Sequence, residues 1–249
     1  MQRDYHPADD ILQDRIVLVT GAGDGIGATA ARTFAKHGAT VALAGRTQQK
    51  LEAVYDAIVA DGGPEPIIAV IDFATAQGDD YQNLADAIAE QFGRLDGLLL
   101  NHSILGQRSP IEHHDVKVWL ETMHVNVNSQ FILVQALLPL LLKAPDPSIV
   151  FTSSGVGRKG RAFWGAYAVS KFATEGLMET LADEVDTMRV NCINPGATRT
   201  AMRRAAYPGE DPGTLLTPAD IMAPYLWLIG PDSKGVTGKS LDCQPARTK

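Results

Sequence analysis

The sequence has 249 residues, of which 45% are hydrophobic and 6% aromatic, and its formal net charge is -7. These values are typical of a globular protein, and an acidic balance without a basic run argues against nucleic-acid binding. Two cysteines exclude a disulfide framework, and no apolar stretch reaches the ~20 residues that span a bilayer. Because residues 1–15 also lack a signal-peptide core, we expect one cytoplasmic domain over residues 1–249, without a membrane or nucleic-acid partner.

The first predicted unit, residues 15–37, is a strand, a glycine-rich turn and a helix. The apolar run at 16–19 predicts the strand, residues 28–37 predict the helix, and the turn between them contains Gly21, Gly23, Gly25 and Gly27. Backbone N–H groups at a helix N-terminus bind phosphate, and glycine lets the backbone approach a pyrophosphate closely. The turn therefore predicts a dinucleotide site, although an ordinary tight turn has a similar pattern.

Apolar runs and helical periodicities alternate along the rest of the chain. Further strands are predicted at 39–44, 67–71, 95–100, 148–152, 189–193 and 239–243, and helices at 47–60, 77–92, 115–143 (kinked near Pro139), 163–186 and 220–229. This alternation predicts an α/β fold, a doubly wound Rossmann-type domain in which helices cover both faces of a seven-stranded parallel sheet. Residues 197–217 are polar and long enough for a substrate lid, and we expect the tail, 245–249, to be mobile.

Tyr167 and Lys171 are separated by four residues on a predicted helix, so they share a face. A nearby ammonium favours the phenolate and brings the phenol pKa from about 10 toward neutral pH. Such a tyrosine exchanges a proton with a substrate oxygen. The alternative is an exposed tyrosine beside a solvated lysine.

Several motifs in order resemble the short-chain dehydrogenase/reductase family, and the match covers nearly the whole chain. They are the turn TGAGDGIG at 20–27, Asn126, Ser154, Tyr167 with Lys171, and Pro195-Gly196. Within the family, the sequence is most similar to the YciK-like oxidoreductases of Gram-negative bacteria, which share the segments around 160–167 and 241–245. The resemblance implies an oxidoreductase that transfers a hydride between a nicotinamide cofactor and a carbonyl or alcohol substrate.

The resemblance also implies four catalytic roles. Tyr167 is the expected general acid/base, and Lys171 is expected to lower the tyrosine pKa and hold the nicotinamide ribose. Ser154, preferred to Ser153 because of its spacing from Tyr167, is expected to bind the substrate oxygen. Asn126 is expected to hold a water that links Lys171 to solvent.

The same resemblance implies the cofactor contacts. Asp72 is expected at the adenine, Asn101 at the adenosine-side ribose, and Thr198 and Thr200 at the carboxamide and a phosphate. The full expected set is Gly21, Gly23, Asp24, Gly25, Ile26, Gly27, Arg46, Asp72, Asn101, Tyr167, Lys171, Pro195, Gly196, Thr198 and Thr200.

Charge at the end of the second strand bears on cofactor choice. NAD sites place a carboxylate there, whereas this chain has Gly45 followed by Arg46, whose guanidinium matches a 2′-phosphate. NADP(H) is therefore favoured over NAD(H). Asp24 argues against this choice, because many NADP-using relatives carry a basic residue in the glycine turn.

The chain departs from the family pattern at His102-Ser103, where most relatives have Ala-Gly. One interpretation is that the imidazole points outward or that the segment shifts locally. The other is that the cofactor site is altered, and this altered-site interpretation supports an alternative function, a dinucleotide-binding sensor or assembly protein with little turnover.

The histidines have no metal-ligand spacing, so no metal is expected. The family usually forms tetramers through the predicted 115–143 and 163–186 helices, so a homo-oligomer is expected.

The substrate pocket is expected to be bordered by apolar side chains and by the predicted lid. The candidates are Leu105, Phe163 and Trp164. Five arginines, Arg158, Arg161, Arg199, Arg203 and Arg204, are either solvated or meet an anionic substrate group.

Overall fold

The computed structural model describes residues 5–245, so residues 246–249 of the tail expected to be mobile lie outside the described part. Seven parallel strands form one sheet in the order β3-β2-β1-β4-β5-β6-β7. They are β1 (Ile16–Thr20), β2 (Thr40–Gly45), β3 (Ile67–Val70), β4 (Gly97–Leu100), β5 (Ser148–Thr152), β6 (Arg189–Asn194) and β7 (Lys239–Asp242). The predicted sheet is confirmed, with strand boundaries within two residues of those expected.

Helices cover both faces of the sheet. They are α1 (Gly25–Lys36), α2 (Gln48–Ala60), α3 (Gly78–Phe92), α4 (Val116–Met123), α5 (Ser129–Leu141), α6 (Gly165–Glu184), α7 (Ala201–Ala206) and α8 (Met222–Ile229). Side chains of α3, α5 and α6 pack on one face with Leu18 of β1, whereas α1, α2 and α8 pack on the other with Val17 and Val19. Consecutive β1 residues thus face opposite cores, which explains the uninterrupted apolar run.

Helix α1 begins at Gly25, three residues before the predicted start. The Asp24 side chain caps it by accepting a hydrogen bond from the Gly25 N–H at 2.7 Å. The glycines concealed this first turn from sequence analysis, because glycine is a poor helix former. The first helical turn therefore belongs to the glycine-rich segment itself.

The predicted helix 115–143 consists of three segments. Asp115 caps α4 by accepting from the N–H groups of Lys117 and Val118, and a π-helical turn, His124–Asn128, connects α4 to α5. Pro139 lies inside α5. Periodicity did not predict the π turn, which contains Asn126; such turns are often found at functional sites.

The chain leaves β1 toward β2 on one side, and β4 pairs with β1 on the other side. A crevice opens at the carboxyl ends of strands where the order reverses in this way. Residues 197–217 form one wall of it and are partly regular, because they contain α7, a 3₁₀ turn (Pro212–Thr214) and a bridge between Thr198 and Leu216. Within 5–245, no helix combines the length and apolarity needed to cross a membrane.

Candidate active site

A cleft of about 510 Å³ lies at the carboxyl ends of the strands and reaches from the glycine turn to α7. Most of the predicted site residues line it: Gly21, Gly23, Asp24, Gly25, Ile26, Arg46, Asp72, Asn101, Ser154, Tyr167, Pro195, Gly196, Thr198 and Thr200. The other three, Gly27, Asn126 and Lys171, lie behind its wall. The fold thus gathers residues from every strand end between β3 and β6 around one cavity.

The glycine turn packs tightly against the start of α1. A Cβ at Gly27 would lie 2.1 Å from the Gly21 carbonyl oxygen, so only glycine fits without displacing the backbone. Gly21 itself has a φ of +65°, a conformation that glycine adopts readily. These two glycines shape the turn that borders the cleft.

Two cations lie at the same end of the cleft, one just before α2 and one in its first turn. Arg46 follows β2, is exposed, and forms no ion pair or hydrogen bond with other residues of the described range. Lys50 pairs with Asp24 at 2.7 Å, and this hydrogen bond lowers the pKa of the Asp24 carboxyl. Sequence analysis missed Lys50; the available signal was its position four residues after Arg46, at the start of a helix. Because Lys50 neutralises Asp24, this carboxylate is a weaker argument against a phosphate than the sequence indicated.

Tyr167 lies in the first turn of α6 and is 8% exposed. Burial raises the pKa of its phenol to about 12, and a hydrogen bond with Ser154 opposes that rise. Ser153 and Ser154 both line the cleft after β5, but the Ser153 hydroxyl donates to the Glu175 carboxylate. Of the two serines, only Ser154 is bonded to the phenol, which agrees with the preference from spacing.

Lys171 is 1% exposed, and its Nζ donates to the Thr152 carbonyl oxygen at 2.8 Å. The same atom lies 5.6 Å from the centroid of the Tyr167 ring. Burial lowers the pKa of the Lys171 ammonium to about 8, against the opposing effects of the neighbouring Cys192 and Glu175. Burial raises the phenol pKa here, instead of the lowering that the sequence led us to expect, and the role of Lys171 toward the phenol stays a prediction.

Asn126 is fully buried and holds the loop after β4. Its Oδ1 accepts from the Ile104 N–H at 2.8 Å, and its Nδ2 donates to the Ile104 carbonyl oxygen at 2.9 Å and the Ser170 hydroxyl at 3.0 Å. The amide therefore joins the π turn to α6 one residue before Lys171. Its predicted water-holding role remains a prediction.

The His102 side chain points into the protein. Its Nδ1 lies 2.7 Å from Thr20 Oγ1, its Nε2 lies 2.8 Å from Ser129 Oγ, and its ring stacks on Phe73 with centroids 3.8 Å apart. Burial lowers the pKa of the imidazole to about 3, so the ring is neutral. The interpretation of an outward-pointing imidazole is wrong, because Thr20 at the end of β1 and Ser129 at the start of α5 satisfy both ring nitrogens.

The predicted lid holds its own arginines. Arg203 pairs with Glu210 through two short contacts, 2.6 and 2.7 Å, and its guanidinium lies 3.8 Å from the Tyr207 ring centroid. Arg161 donates to the Tyr207 hydroxyl at 2.8 Å. Of the five arginines considered for an anionic substrate, only Arg203 lines the cleft.

Of the three apolar side chains expected at the substrate pocket, the structure places two in the cleft wall. Leu105 and Trp164 line the cleft, whereas Phe163 is 55% exposed and does not. No group of three or more potential metal ligands comes together within the described residues.

The family model for short chain dehydrogenases matches residues 15–211. With this site and fold, the chain belongs to the short-chain dehydrogenase/reductase family and is an oxidoreductase of that class. It is 55% identical over 244 residues to the oxidoreductase YciK of Escherichia coli K12, with 98% of this chain and 97% of YciK covered. It is 30% identical to trans-4-hydroxycyclohexanecarboxylate dehydrogenase of Sinomonas cyclohexanicum, with 93% and 92% covered.

Solved structures agree with the sequence comparison. A short chain dehydrogenase from Escherichia coli CFT073 complexed with NADPH superimposes with a TM-score of 0.94 at 56% identity, covering 96% of this chain and 100% of that one. A second, from Shigella flexneri and complexed with NADP, has the same TM-score at 54% identity, with 96% and 100% covered. The YciK-like subgroup and the Rossmann-like fold are thereby confirmed.

Proposed function

We propose that this protein transfers a hydride between NADP(H) and a carbonyl or alcohol substrate, with Tyr167 as general acid/base. The observation that carries the proposal is the single cleft that joins the glycine turn and Arg46 to the Ser154–Tyr167 pair. A phosphate-binding end and a proton-transfer end within one cavity are what hydride transfer from a bound dinucleotide requires. The NADP and NADPH complexes of close relatives support the same cofactor for this chain.

The residues at the phosphate end fit NADP(H). Gly21 and Gly27 let the backbone approach a pyrophosphate, and the exposed Arg46 is a guanidinium without a protein partner in the described range. A guanidinium binds phosphate through two parallel hydrogen bonds. We assign the 2′-phosphate to Arg46, with Asp72 and Asn101 at the adenosine and Thr198 and Thr200 at the nicotinamide half.

At the reactive end, the cofactor supplies or accepts the hydride when bound, and the protein handles the proton. A phenol with a pKa of about 12 is protonated at neutral pH, so Tyr167 is ready to donate to a carbonyl oxygen in reduction. Ser154 holds the same oxygen. An ammonium with a pKa of about 8 remains mostly charged at pH 7, so Lys171 stabilises the phenolate left after donation.

The test is hydride transfer from NADPH to a panel of ketones and acyl thioesters, compared with Tyr167→Phe. We expect the variant to lose roughly 10²- to 10⁴-fold in kcat, the usual contribution of general acid–base catalysis, and to retain NADPH affinity. Tyr55→Phe is a matched control, because Tyr55 is a partly exposed tyrosine on α2, outside the cleft lining. A wild-type protein that binds NADPH yet turns over nothing that the variant does not would refute the proposal.

The alternative function, a dinucleotide sensor or assembly protein with little turnover, rested on the bulk of His102-Ser103. Although His102 belongs to the cleft wall, its imidazole is buried, stacked on Phe73 and next to Thr20 and Ser129. This geometry leaves the cofactor end less crowded than the sequence suggested, and so favours the enzyme.

Three further features belong to the proposal. Residues 197–217 are proposed to be a substrate lid, because Met202 and Arg203 of this segment line the cleft. A homo-oligomer through α4 and α6 is proposed because Val116 and Leu120 on α4 are 70% and 61% exposed. We also place the protein in the cytoplasm.

A further inference from the structure

A buried carboxylate lies one helical turn beyond Lys171. Glu175 follows Lys171 by four residues on α6, which extends the Tyr167–Lys171 spacing to a ladder of three polar side chains. The residue is 8% exposed. A carboxylate at this depth is costly unless it is paired and hydrogen-bonded, so its partners indicate why it is there.

Consecutive residues at the end of β5 hold the two α6 charges. The Thr152 carbonyl oxygen accepts from Lys171 Nζ at 2.8 Å, and the next residue, Ser153, donates its hydroxyl to Glu175 Oε1. The end of β5 thus anchors the ammonium and the carboxylate through consecutive residues, without a direct ion pair between the two among the described contacts. This also assigns a role to Ser153, which sequence analysis had set aside as the serine that does not meet the substrate.

Arg158 connects the carboxylate to the last strand. Its Nε lies 3.5 Å from Glu175 Oε1 and donates to Ser240 Oγ at 2.8 Å, while its Nη1 donates to both Asp242 oxygens at 3.0 and 2.9 Å. The turn that carries Arg158 packs directly on the lysine, because a Cβ at Gly157 would lie 2.8 Å from Lys171 Cβ.

The other groups around Lys171 carry no negative charge at neutral pH. Burial and the neighbouring Glu175 raise the pKa of the Cys192 thiol, and burial raises that of the Tyr225 phenol from α8 and of Tyr167, so all three stay protonated. Burial also keeps His102 neutral. Asp242 is occupied by Arg158, and the charge that remains to face the ammonium is that of Glu175.

We propose that Glu175 is a positioning residue that keeps Lys171 charged and in place, and that Arg158 sets how much of its negative charge the lysine receives. The catalytic importance of Glu175 rests on the proposed function, whereas the effect of Glu175 on the charge of Lys171 does not. A buried ammonium without a counter-charge releases its proton. The protein would then lose the cation that the phenolate of Tyr167 needs.

The experiment measures the proton affinity of Lys171 directly in the full-length protein. Lysines labelled with ¹³C at Cε are titrated by NMR, and Lys171→Met identifies the signal. Glu175→Gln keeps the size and one oxygen for Ser153 but removes the charge, so we expect the pKa of Lys171 to fall by roughly one unit or more. Glu179→Gln is the matched control, because Glu179 lies one turn further along α6, is exposed, and carries the same charge; it should leave Lys171 unchanged.

A second variant gives a shift of the opposite sign. Arg158→Gln removes the cation that shares the carboxylate, so we expect the pKa of Lys171 to rise. An unchanged or raised pKa in Glu175→Gln, or a fall in Arg158→Gln, would overturn the proposal, since loss of packing alone would admit water and raise the pKa in both variants. Should Glu175→Gln fail to fold, Arg158→Gln is compared with Arg158→Lys, which keeps a cation: a rise in the first that is absent from the second supports the proposal, and no such difference overturns it.

Activity then separates the two proposals. If the proposed function holds, Glu175→Gln moves the alkaline limb of the reductase pH profile to lower pH. The limb should move by as many pH units as the pKa of Lys171 falls in the NMR titration. A shifted NMR titration without any reductase activity would contradict the proposed function while leaving the pairing of Glu175 with Lys171 intact.

Discussion

Lys171 has a proposed catalytic role, and its charge is expected to destabilise the fold. The pKa of its ammonium falls from 10.5 to about 8 because the side chain is buried. The unfolded chain therefore binds the proton more tightly than the native protein, and wild-type stability rises as pH increases between these two values. Well below pH 8 the full difference applies, and at about 1.4 kcal/mol per pKa unit it amounts to about 3 kcal/mol.

Lys171→Met retains most of the aliphatic side chain and removes the charge. The variant avoids the desolvation cost of the ammonium, which stabilises it. It also leaves the Thr152 carbonyl oxygen without its donor, and this loss offsets ~1–3 kcal/mol of the gain. We therefore expect a variant that is inactive yet at least as stable as the wild type at pH 7. More decisively, the wild type should gain about 2.5 kcal/mol relative to the variant between pH 7 and pH 10.

The assay is urea unfolding of both proteins at intervals of pH, with the free energies compared at each step. Lys159→Met serves as control, because Lys159 is exposed in the loop before α6 and its removal should give a curve parallel to that of the wild type. Parallel curves for Lys171→Met as well would refute the reasoning, because they would show that burial costs the ammonium nothing.

Four further predictions concern the rest of the site. Arg46→Ala should weaken NADPH binding by about 10- to 100-fold, the value of a charge-assisted phosphate contact, and leave NADH binding unchanged; an equal effect on both cofactors in titration would remove the phosphate role. Gly27→Ala should lower both Tm and NADPH affinity, because its Cβ would lie 2.1 Å from a backbone oxygen, whereas Gly78→Ala, which has open space, should do neither. His102→Ala should cost about 2–4 kcal/mol in urea unfolding through lost stacking and unpaired hydroxyls, and a neutral result would contradict the buried geometry. Trypsin should cut the arginine-rich segment 197–217 more slowly when NADPH is saturating; equal rates would count against a lid.

The sheet was predictable because its signal is local. The strands from β1 to β5 are short apolar runs, each followed by a helix, which is the pattern typical of a parallel sheet buried on both faces. The predicted helix ends were less accurate where a capping side chain, rather than the spacing of apolar residues, sets the end. Asp24 caps α1 inside the glycine turn. The π turn His124–Asn128 widens the helix by one residue per turn, which the amino-acid composition does not indicate.

The sequence predicted which residues make up the candidate site, but not the burial and hydrogen bonding around them. Ser154 and Tyr167 were predicted from motif spacing and the family resemblance, and both line the cleft. The direction of the His102 ring was not predictable, because it depends on Thr20, Ser129 and Phe73, which come from three distant segments. The acidity of Tyr167 depends likewise on burial, which no local pattern encodes.

The polar ladder of α6 explains why this helix is buried yet lacks a clean apolar face. Tyr167, Lys171 and Glu175 occupy successive turns of one side, where a stable core helix would carry apolar residues. Burial raises the phenol pKa to about 12 and lowers the ammonium pKa to about 8, so each shift opposes the ionised form needed after proton transfer. The Glu175 carboxylate, at the third position of the ladder, opposes the lowering of the Lys171 pKa at a depth where solvent does not stabilise the ammonium. The ladder thus places charged side chains in a buried part of α6, where they stabilise the fold least. Under the proposed function, Tyr167 in the first turn of α6 is protonated at neutral pH and donates that proton.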